Sequence, residues 1–165
     1  MKFEGKAWKF GHNIDTDAIT PGKHLYLPMQ EMALHALEVH DPAFAKNVKP
    51  GDIIVGGRNF GCGSSREQAP RVLKLLGVSG ILAESFARIF YRNAIAIGLP
   101  VLAVPGLWEK TEAGDIVGAD LKTGIVVHQR SAVQFNAPPL PDQMLAVLAE
   151  GGVVAALKRF SAQQG

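Results

Sequence analysis

The sequence has 165 residues, which is enough to bury a hydrophobic core and is most simply one domain. Its apolar fraction of 47% and charged fraction of 19% are typical of a folded globular chain and exclude extensive disorder. The net charge is only +2 and the 17 Lys and Arg residues form no basic run, which argues against nucleic acid as the main partner. No apolar stretch approaches ~18 residues and the N-terminus has no apolar signal core, so we expect a cytoplasmic protein without a membrane segment.

The first third of the chain predicts a strand, a long polar loop and then helices. "KFEGKAWKF" (2–10) is typical of a strand, whereas "GHNIDTDAITPGKH" (11–24) is rich in Asn, Asp, Thr, Gly and Pro and predicts a loop. Apolar residues at three- and four-residue steps predict a helix from Met29 to Val39, and "DPAFAKNV" (41–48) predicts a short second helix. Because long ordered loops in compact domains are more often functional than decorative, the polar loop is a candidate for function.

The remainder of the chain predicts strands that alternate with helices, followed by a strand-rich tail. A helix is predicted from about Ser65 to Leu76, with Ser64 or Ser65 as its cap. The other predicted elements are strands at 51–57, 80–85 and 100–104, a helix at 86–98, short β-like runs between 115 and 135, and two C-terminal helices that separate at Gly151–Gly152. This order predicts a single α/β domain, residues 1–165, with a mixed central sheet.

The segment "GRNFGCGSSREQAP" (57–70) carries the strongest functional signal, because two hydroxyls and a guanidinium follow a flexible glycine loop. One interpretation is an anion site, in which backbone N–H groups, a helix N-terminus and the side chains of Ser64, Ser65 and Arg66 surround a carboxylate or phosphate. A second is catalysis by a serine, although the segment does not match the Gly-x-Ser-x-Gly elbow and the five scattered histidines complete no evident triad. A third is structural, a capped helix after a turn. The residues alone leave all three open.

Few residues in the chain are candidates for metal or thiol chemistry. Cys62 is the one cysteine, so the chain can form neither an intrachain disulfide nor a cluster site from several of its own thiolates. We interpret Cys62 as a small residue that fills a tight loop rather than as a nucleophile. Asp15, Thr16 and Asp17 lack a second acidic cluster that would complete a hard-cation site. We therefore predict that these three residues order their loop through Asx-type hydrogen bonds and that the chain binds no metal.

Three stretches of the sequence taken together resemble one family. "GRNFGCGSSREQAP", followed by "GILAESFARIFYRNAIAIGLPVL" (80–102), resembles the swivel domain of the aconitase superfamily, and "GHNIDTDAITPGKHL" (11–25) is similar to that family's N-x-D-T-D-x-I loop. Within the superfamily the likeness is to the separate small subunits of 3-isopropylmalate dehydratase (isopropylmalate isomerase) and homoaconitase, and it runs from about Lys6 to Phe160. The resemblance implies one swivelling β/β/α domain with a mixed sheet, like domain 4 of aconitase.

The resemblance also implies a reaction and a partner. Members of the family are hydro-lyases that remove and re-add water on a hydroxy dicarboxylic acid, with a [4Fe-4S] cluster as Lewis acid. Because this chain has one cysteine, the cluster is expected in a separate large subunit, and this chain is expected to act only with that partner. By position, Ser64 corresponds to the catalytic base, and Ser65 and Arg66 correspond to contacts with a substrate carboxylate. Loop N–H groups, a helix N-terminus and Arg66 would favour the anionic form of Ser64.

Two positions depart from the family pattern. Gln68 replaces the His of the usual S-S-R-E-H-A-P motif and is expected to shape the surroundings of the serine. The family's substrate-selecting segment P-A-R-Y-L-R-x reads "PGKHLYL" (21–27) here, with Lys23 near one basic position and Tyr26 where an arginine is frequent. Lys23 and Tyr26 are therefore candidate substrate contacts, and a phenol in place of a forked cation favours a smaller or more apolar substituent.

These differences set the expected substrates and mobile parts. The leading expectation is isomerisation of 3-isopropylmalate and 2-isopropylmalate in leucine biosynthesis, ahead of homoaconitate, 2,3-dimethylmalate and 2-methylmalate (citraconate). The selectivity loop, about 13–28, has few evident apolar anchors and is expected to be mobile, while residues 57–66 form the serine loop that carries the chemistry. Two alternatives of other classes are a non-enzymatic domain that binds a small acid through the serine loop and a serine-dependent hydrolase.

Overall fold

The structure, a computed structural model, describes residues 1–163 and is organised around one seven-stranded sheet. Its strands are Lys2–Lys9 (β1), Ile53–Gly56 (β2), Gly80–Ala83 (β3), Val101–Ala103 (β4), Ile116–Asp120 (β5), Ile125–His128 (β6) and Val133–Asn136 (β7). The order across the sheet is β4-β3-β2-β1-β5-β6-β7. The first strand of the chain therefore lies in the middle of the sheet.

β1 is the boundary between a parallel and an antiparallel half. It pairs in parallel with β2, with Ala7 opposite Ile53, and antiparallel with β5, with Lys2 opposite Asp120. β2, β3 and β4 continue the parallel half, whereas β5, β6 and β7 form an antiparallel meander. Every residue of β2 and β3 is buried, as expected for parallel strands covered on both faces, while β6 alternates exposed and buried residues. The predicted mixed sheet is confirmed.

Helices connect the parallel strands and follow the meander, which confirms the predicted α/β class. They are Thr16–Ile19 (α1), Met29–Ala33 (α2), Phe44–Asn47 (α3), Gln68–Leu75 (α4), Arg88–Ala96 (α5), Leu107–Lys110 (α6), Asp142–Ala149 (α7) and Val153–Gln163 (α8), with a 3-10 turn at Gly22–His24. None of the helices in the described part of the chain has the length and apolar composition that a membrane crossing requires. The two C-terminal helices separate at Gly151–Gly152, as predicted.

The core is rich in edge-to-face aromatic contacts. Phe44 is fully buried and packs against Trp8 and Phe10, with ring centroids 5.2 and 5.4 Å apart. Phe60 is also fully buried and packs against Phe90 with centroids 5.5 Å apart. Burial of one such side chain stabilises the fold by about 1.5–3 kcal/mol, and the aromatic geometry adds about 0.5–1.5 kcal/mol. Because Phe60 belongs to the serine loop, core packing also holds that loop in place.

The helix predicted from Met29 to Val39 is shorter in the structure. It ends at Ala33, and the chain continues in turns through Leu37, which is fully buried and has a φ of +58°. A left-handed residue cannot continue a right-handed helix, and apolar spacing alone does not reveal it. The prediction from periodicity was therefore wrong beyond the first turns.

The helix after the serine loop begins later than predicted. α4 starts at Gln68, with Glu67 in the N-cap position. The N-cap residue makes no side-chain cap hydrogen bond within residues 1–163, and it is Glu67 rather than Ser64 or Ser65, so the predicted capping role of these serines was wrong. Instead, Arg66 N donates to the Ser64 carbonyl at 2.9 Å in a tight non-helical turn. The serine hydroxyls are thus free of helix capping.

A charged cluster joins the start of β5 to the turn after β6. Asp115 accepts hydrogen bonds from His128 Nε2 at 2.7 Å and from Arg130 Nε and Nη2, both at 2.9 Å. The His128 side chain is fully buried and the Asp115 side chain nearly so. The two hydrogen bonds from Arg130 are the main cause that holds the pKa of Asp115 well below its usual range. The cluster therefore stabilises the antiparallel half in its ionised form.

We predict that Asp115→Asn lowers the free energy of unfolding at neutral pH by about 1.5–3 kcal/mol, the range for hydrogen bonds to charged groups. Because the folded-state pKa of Asp115 is depressed, its contribution is full above about pH 4 and is lost as the pH falls below that value. The difference between the two proteins should therefore shrink in acid. Urea unfolding at neutral pH and below about pH 4 measures it.

The matched control for this prediction is Glu109→Gln, the same carboxyl-to-amide change at an exposed residue. It should change the unfolding free energy by less than about 0.5 kcal/mol. Equal destabilisation by the two substitutions, or a difference at Asp115 that grows in acid, would contradict the assigned role.

Candidate active site

Two loops meet where the parallel strands β1 and β2 end. Since the two strands run side by side in parallel, the segments that follow them leave from the same edge of the sheet. We call residues 11–20 the first loop, which lies against the serine loop. Asn13 N donates to Arg58 O at 2.8 Å, and Gly61 N donates to Ile14 O at 2.7 Å. The carboxyl ends of parallel strands are the usual ligand-binding edge of α/β sheets, so the sheet itself brings the two sequence motifs together.

The serine loop requires glycine at two positions. Gly61 has a φ of +81° and Gly63 a φ of +90°, both in the left-handed region that favours glycine. A Cβ on Gly61 would lie 2.1 Å from the Phe90 ring, so a side chain there would displace the core. Ser64 and Ser65 beyond these glycines are exposed. One end of the loop is therefore attached to the core, and the other presents two hydroxyls to solvent.

Thr16 of the first loop contacts Ser64 directly. Thr16 is 2% exposed, and its Oγ1 donates to the Ser64 carbonyl at 2.7 Å. The same Oγ1 lies 3.3 Å from Ser64 Oγ, and Thr16 N donates to the Cys62 carbonyl at 2.8 Å. Because the hydroxyl proton of Thr16 is directed at the Ser64 carbonyl, its oxygen can accept the hydroxyl proton of Ser64. Thr16 thus positions both the backbone and the side chain of the candidate base.

Arg66 is bound to the first loop through one terminal nitrogen. Nη1 donates to Asp17 Oδ1 at 2.6 Å and to the Thr20 carbonyl at 2.7 Å. Asp17 Oδ1 also accepts from Gly22 N at 2.9 Å, and the hydrogen bond from Arg66 is the main cause that lowers the pKa of Asp17. Within residues 1–163, these contacts engage Nη1 alone. Nε and Nη2 remain as a donor pair that matches the geometry of a carboxylate.

The electrostatic support expected for a serine anion is not found among the described residues. We expected loop N–H groups, a helix N-terminus and Arg66 to stabilise Ser64. Instead, α4 begins only at Gln68, Arg66 is paired with Asp17, and the partner of Ser64 Oγ is the Thr16 hydroxyl. A hydroxyl exposed to water is a poor base. The predicted role of Ser64 as a base therefore requires a further surface that excludes water from its hydroxyl.

Cys62 lies next to these groups without the properties of an activated thiol. It is partly buried, and this burial is the main cause that raises the pKa of its thiol, with the Asp15 carboxylate adding to the effect. Reactive cysteines have lowered pKa values in electropositive surroundings. The environment of Cys62 thus agrees with its interpretation as a residue that fills the loop.

Lys23 and Tyr26, the predicted selectivity residues, are not joined to the serines. Lys23 Nζ lies 3.3 Å from Glu38 Oε1, and Tyr26 is 82% exposed. In the described chain, neither side chain makes a hydrogen bond or ion pair with residues 64–66. Gly22, beside Lys23, does approach the serine loop, because a Cβ on Gly22 would lie 3.4 Å from Arg66 Nη2. We call residues 22–27 the selectivity segment, and its role in choosing a substrate stays a prediction.

The first loop is better anchored than its composition suggested. We expected few apolar anchors between residues 13 and 28, yet Ile14, Ala18 and Ile19 are buried. Asp15 caps α1 by accepting a hydrogen bond from Ala18 N at 2.6 Å, which confirms Asx-type ordering at this residue. We therefore expect mobility only in the selectivity segment, residues 22–27, where most residues are exposed, and no longer in the whole of residues 13–28.

Sequence reasoning missed the contacts that Thr16 and Asp17 make with the serine loop. Both residues were assigned to ordering their own loop, because their partners are 48 and 49 residues away along the chain. Parallel pairing of the strands before the two loops is the signal that could have found these contacts. A second missed group consists of His24, His35 and Glu38, whose ligand atoms lie within 4.8 Å of one another.

Comparison with known proteins gives one family and several relatives of nearly equal length. Residues 4–105 match the family model of the aconitase C-terminal domain. The chain is 50% identical to 3-isopropylmalate dehydratase small subunit 2 of Archaeoglobus fulgidus, over 96% of both chains. It is 48% identical to the isopropylmalate/citramalate isomerase small subunit of Methanocaldococcus jannaschii, over 97% of this chain and 96% of the relative. It is 51% identical to the methanogen homoaconitase small subunit of Methanothermobacter thermautotrophicus, over 91% of this chain and 87% of the relative.

A solved structure has the same fold over the full length. The crystal structure of a 3-isopropylmalate dehydratase from Methanocaldococcus jannaschii matches with a TM-score of 0.92 and 42% identity, over 99% of this chain and 98% of that chain. The match confirms the fold expected from the two sequence motifs. Since the family model covers most of the chain and the relatives are about half identical over nearly all of it, the chain belongs to the aconitase C-terminal domain family.

Proposed function

We propose that this chain is the small subunit of a two-subunit hydro-lyase that isomerises 3-isopropylmalate and 2-isopropylmalate, a step of leucine biosynthesis. The observation that carries the proposal is the pairing of Ser64 with Thr16 and of Arg66 with Asp17 at one edge of the sheet. These contacts set a hydroxyl and a guanidinium with unused donors on the same exposed loop. The relatives, which are named as dehydratase and isomerase small subunits, support the same class of reaction.

In the proposed reaction, Ser64 and Arg66 act on different parts of the substrate. Dehydration removes a proton from the carbon next to a carboxylate and hydroxide from the neighbouring carbon, which leaves a carbon–carbon double bond and water. Ser64 Oγ takes that proton, while Arg66 Nε and Nη2 bind the carboxylate and Ser65 adds a contact. The bound guanidinium also stabilises the negative charge that develops beside the carboxylate as the proton leaves. Rehydration returns the proton and the hydroxide with their positions exchanged.

The chain itself does not fit an iron–sulfur cluster. A [4Fe-4S] cluster needs several thiolates, whereas this sequence has one cysteine, Cys62. The pKa of the Cys62 thiol is raised, mainly by burial, which is the opposite of what a thiolate ligand requires. We therefore assign the cluster implied by the family to the large subunit.

The exposure of the serine loop supports dependence on that large subunit. Ser64 and Ser65 face solvent, and Nε and Nη2 of Arg66 make no hydrogen bond with residues 1–163, so this chain offers one wall of a site. A second surface placed over the loop would remove water from Ser64 and strengthen the pairing of Arg66 with a carboxylate. Thr16 and Asp17 keep both side chains in position before the partner arrives, which lowers the cost of ordering them on assembly.

The selectivity segment favours a substrate with an apolar substituent. Its lysine, Lys23, and its histidine, His24, both contact Glu38, and Tyr26 offers a phenol rather than a guanidinium. The segment is therefore expected to bind only weakly a third carboxylate of a substrate, in addition to the two carboxylates that every malate carries. An isopropyl or methyl group suits this surface better than the third carboxylate of homoaconitate. We therefore place isopropylmalate first, methyl-substituted malates next and homoaconitate last.

We predict that the purified chain alone is colourless and inactive with 3-isopropylmalate, and that activity appears on addition of the large subunit. The physical reason is the single cysteine together with the water-exposed Ser64. Absorbance in the visible range and a dehydration assay, with and without the partner, measure this. Iron–sulfur absorbance or turnover from the chain by itself would contradict the assignment of the cluster.

Assembly should protect the selectivity segment from hydrogen exchange. In the isolated chain we expect residues 22–27 to exchange faster than residues 14–19, because Ile14 and Ile19 are buried while the selectivity segment is mostly exposed. The large subunit should slow exchange in residues 22–27 and leave residues 14–19 nearly unchanged. Equal protection of the two segments in the isolated chain would contradict the proposal that residues 14–19 are anchored and residues 22–27 are mobile.

Substitutions in the serine loop test the roles of its side chains in the reconstituted complex. Ser64→Ala should lower kcat by at least about a hundredfold with assembly preserved, because it removes the base and little buried area. Arg66→Lys should weaken substrate binding about tenfold to a hundredfold, since an ammonium cannot form two parallel hydrogen bonds to a carboxylate. Turnover and KM would be measured with isopropylmalate, a methyl-substituted malate and homoaconitate.

Cys62→Ala is the matched control, because it changes the same loop without touching a proposed role. It should leave kcat and KM within about threefold, which is about 0.6 kcal/mol. Loss of activity in Cys62→Ala together with retention in Ser64→Ala would require a thiol mechanism in place of the serine one.

A further inference from the structure

Three metal-ligating side chains lie together between the selectivity segment and residues 35–38. His24 Nε2 is 3.0 Å from Glu38 Oε1, and His35 Nδ1 is 2.8 Å from Glu38 Oε2. One ligand atom of each residue lies within 4.8 Å of the other two. The imidazole rings stack with centroids 3.6 Å apart and planes inclined by 16°. The proposed reaction uses none of these three side chains.

We propose that His24, His35 and Glu38 form a binding site for a divalent transition-metal ion of the zinc type. Two imidazole nitrogens and one carboxylate oxygen are a ligand set that zinc takes with three protein residues, water completing the tetrahedron. Metal–ligand distances of about 2.0–2.1 Å place neighbouring ligands of a tetrahedral ion about 3.3 Å apart. His24 lies 3.0 Å from Oε1 of Glu38 and His35 lies 2.8 Å from Oε2, and the three ligand atoms lie within 4.8 Å of one another. Binding an ion therefore requires the carboxylate and the stacked imidazoles to rotate until both nitrogens and one oxygen face the same point.

The burial of the three side chains suits an ion that enters from solvent. The His24 side chain is 16% exposed and that of Glu38 is 26% exposed, whereas His35 at 36% is the most open. Partial burial excludes most competing water from the ligands, and the more open His35 leaves a path for the ion and its water. Magnesium and calcium prefer oxygen ligands, so the two nitrogens select against them.

The backbone around Leu37 holds Glu38 beneath the two imidazoles. Leu37 has a φ of +58°, a conformation that a branched side chain rarely adopts, and its side chain is fully buried. Leu37 N donates to the Ile19 carbonyl of the first loop at 3.3 Å. Core packing therefore maintains the turn that brings the carboxylate and His35 to the same side. A bound ion would join this anchored turn to the selectivity segment through His24.

Lys23 is the natural competitor of a metal ion at this site. Its Nζ lies 3.3 Å from Glu38 Oε1, and its side chain is 69% exposed. An ammonium and a divalent ion cannot share one carboxylate oxygen without strong repulsion, so the ion must displace Lys23 into solvent. Removal of the lysine should therefore strengthen metal binding. A cluster held only by hydrogen bonds would not respond to zinc in this way.

The test is calorimetric titration of the untagged, metal-free full chain with zinc chloride at neutral pH. We expect one site, with no binding of magnesium chloride under the same conditions. His24→Ala, His35→Ala and Glu38→Gln should each weaken zinc binding at least about tenfold, since each deletes one ligand. His40→Ala is the matched control, because it removes an exposed histidine outside the cluster and should leave the affinity unchanged. Lys23→Met should bind zinc more tightly than the unchanged chain.

Two further measurements separate loss of the site from loss of the fold. Circular dichroism checks that each variant is folded, and hydrogen exchange should show that zinc slows exchange in residues 22–27 of the unchanged chain. Absence of zinc binding up to millimolar concentration, or equal binding by His24→Ala and His40→Ala, would overturn the proposal. The Lys23 side chain is exposed and is not one of the ligands, so Lys23→Met should fold normally. If this variant does not bind zinc more tightly, the proposal is overturned even where a ligand variant is unfolded.

Discussion

The parallel pairing of β1 with β2 is the constraint on which the candidate site depends. It brings the segments after both strands to one edge of the sheet, although Thr16 and Ser64, which meet there, are 48 positions apart in the sequence. Thr16 can then bind Ser64, and Asp17 can bind Arg66. A change in the register of this pair of strands would separate the serine loop from the residues that position it, while the individual elements could remain intact.

The serine loop is anchored to the core at one end and exposed to solvent at the other. Phe60 in the core and Gly61 against Phe90 fix where the loop leaves the sheet, and Thr16 fixes Ser64. Beyond these contacts the hydroxyls face water, where a serine is a poor base. The arrangement is one half of a site, pre-organised on this chain and completed by a surface that excludes water. This physical incompleteness is the reason for the proposed division of the activity between two subunits.

Much of the fold and the central motif could be predicted from the sequence, because their signals are local. The strand predicted at 2–10, the buried strand predicted at 80–85 and the break at Gly151–Gly152 follow from the residue pattern, and the first two are observed at Lys2–Lys9 and Gly80–Ala83. The contacts of Thr16 and Asp17 were missed, since they require the parallel pairing of β1 with β2, which the local residue pattern does not specify. The helix predicted from Met29 to Val39 ends at Ala33, and the left-handed, buried Leu37 that follows depends on packing that periodicity does not encode. The group of His24, His35 and Glu38 depends on that same turn.

The most direct measurement of the central claim is a structure of this chain bound to its large subunit and a non-reactive analogue of 3-isopropylmalate. The account predicts that Ser64 Oγ lies within about 3.2 Å of the atom that stands for the proton-bearing carbon or its proton. It also predicts that Arg66 binds a carboxylate of the analogue through Nε and Nη2 while Nη1 stays on Asp17. A complex in which residues 57–66 face away from the analogue, or in which a side chain of the partner occupies the place of Ser64, would contradict it.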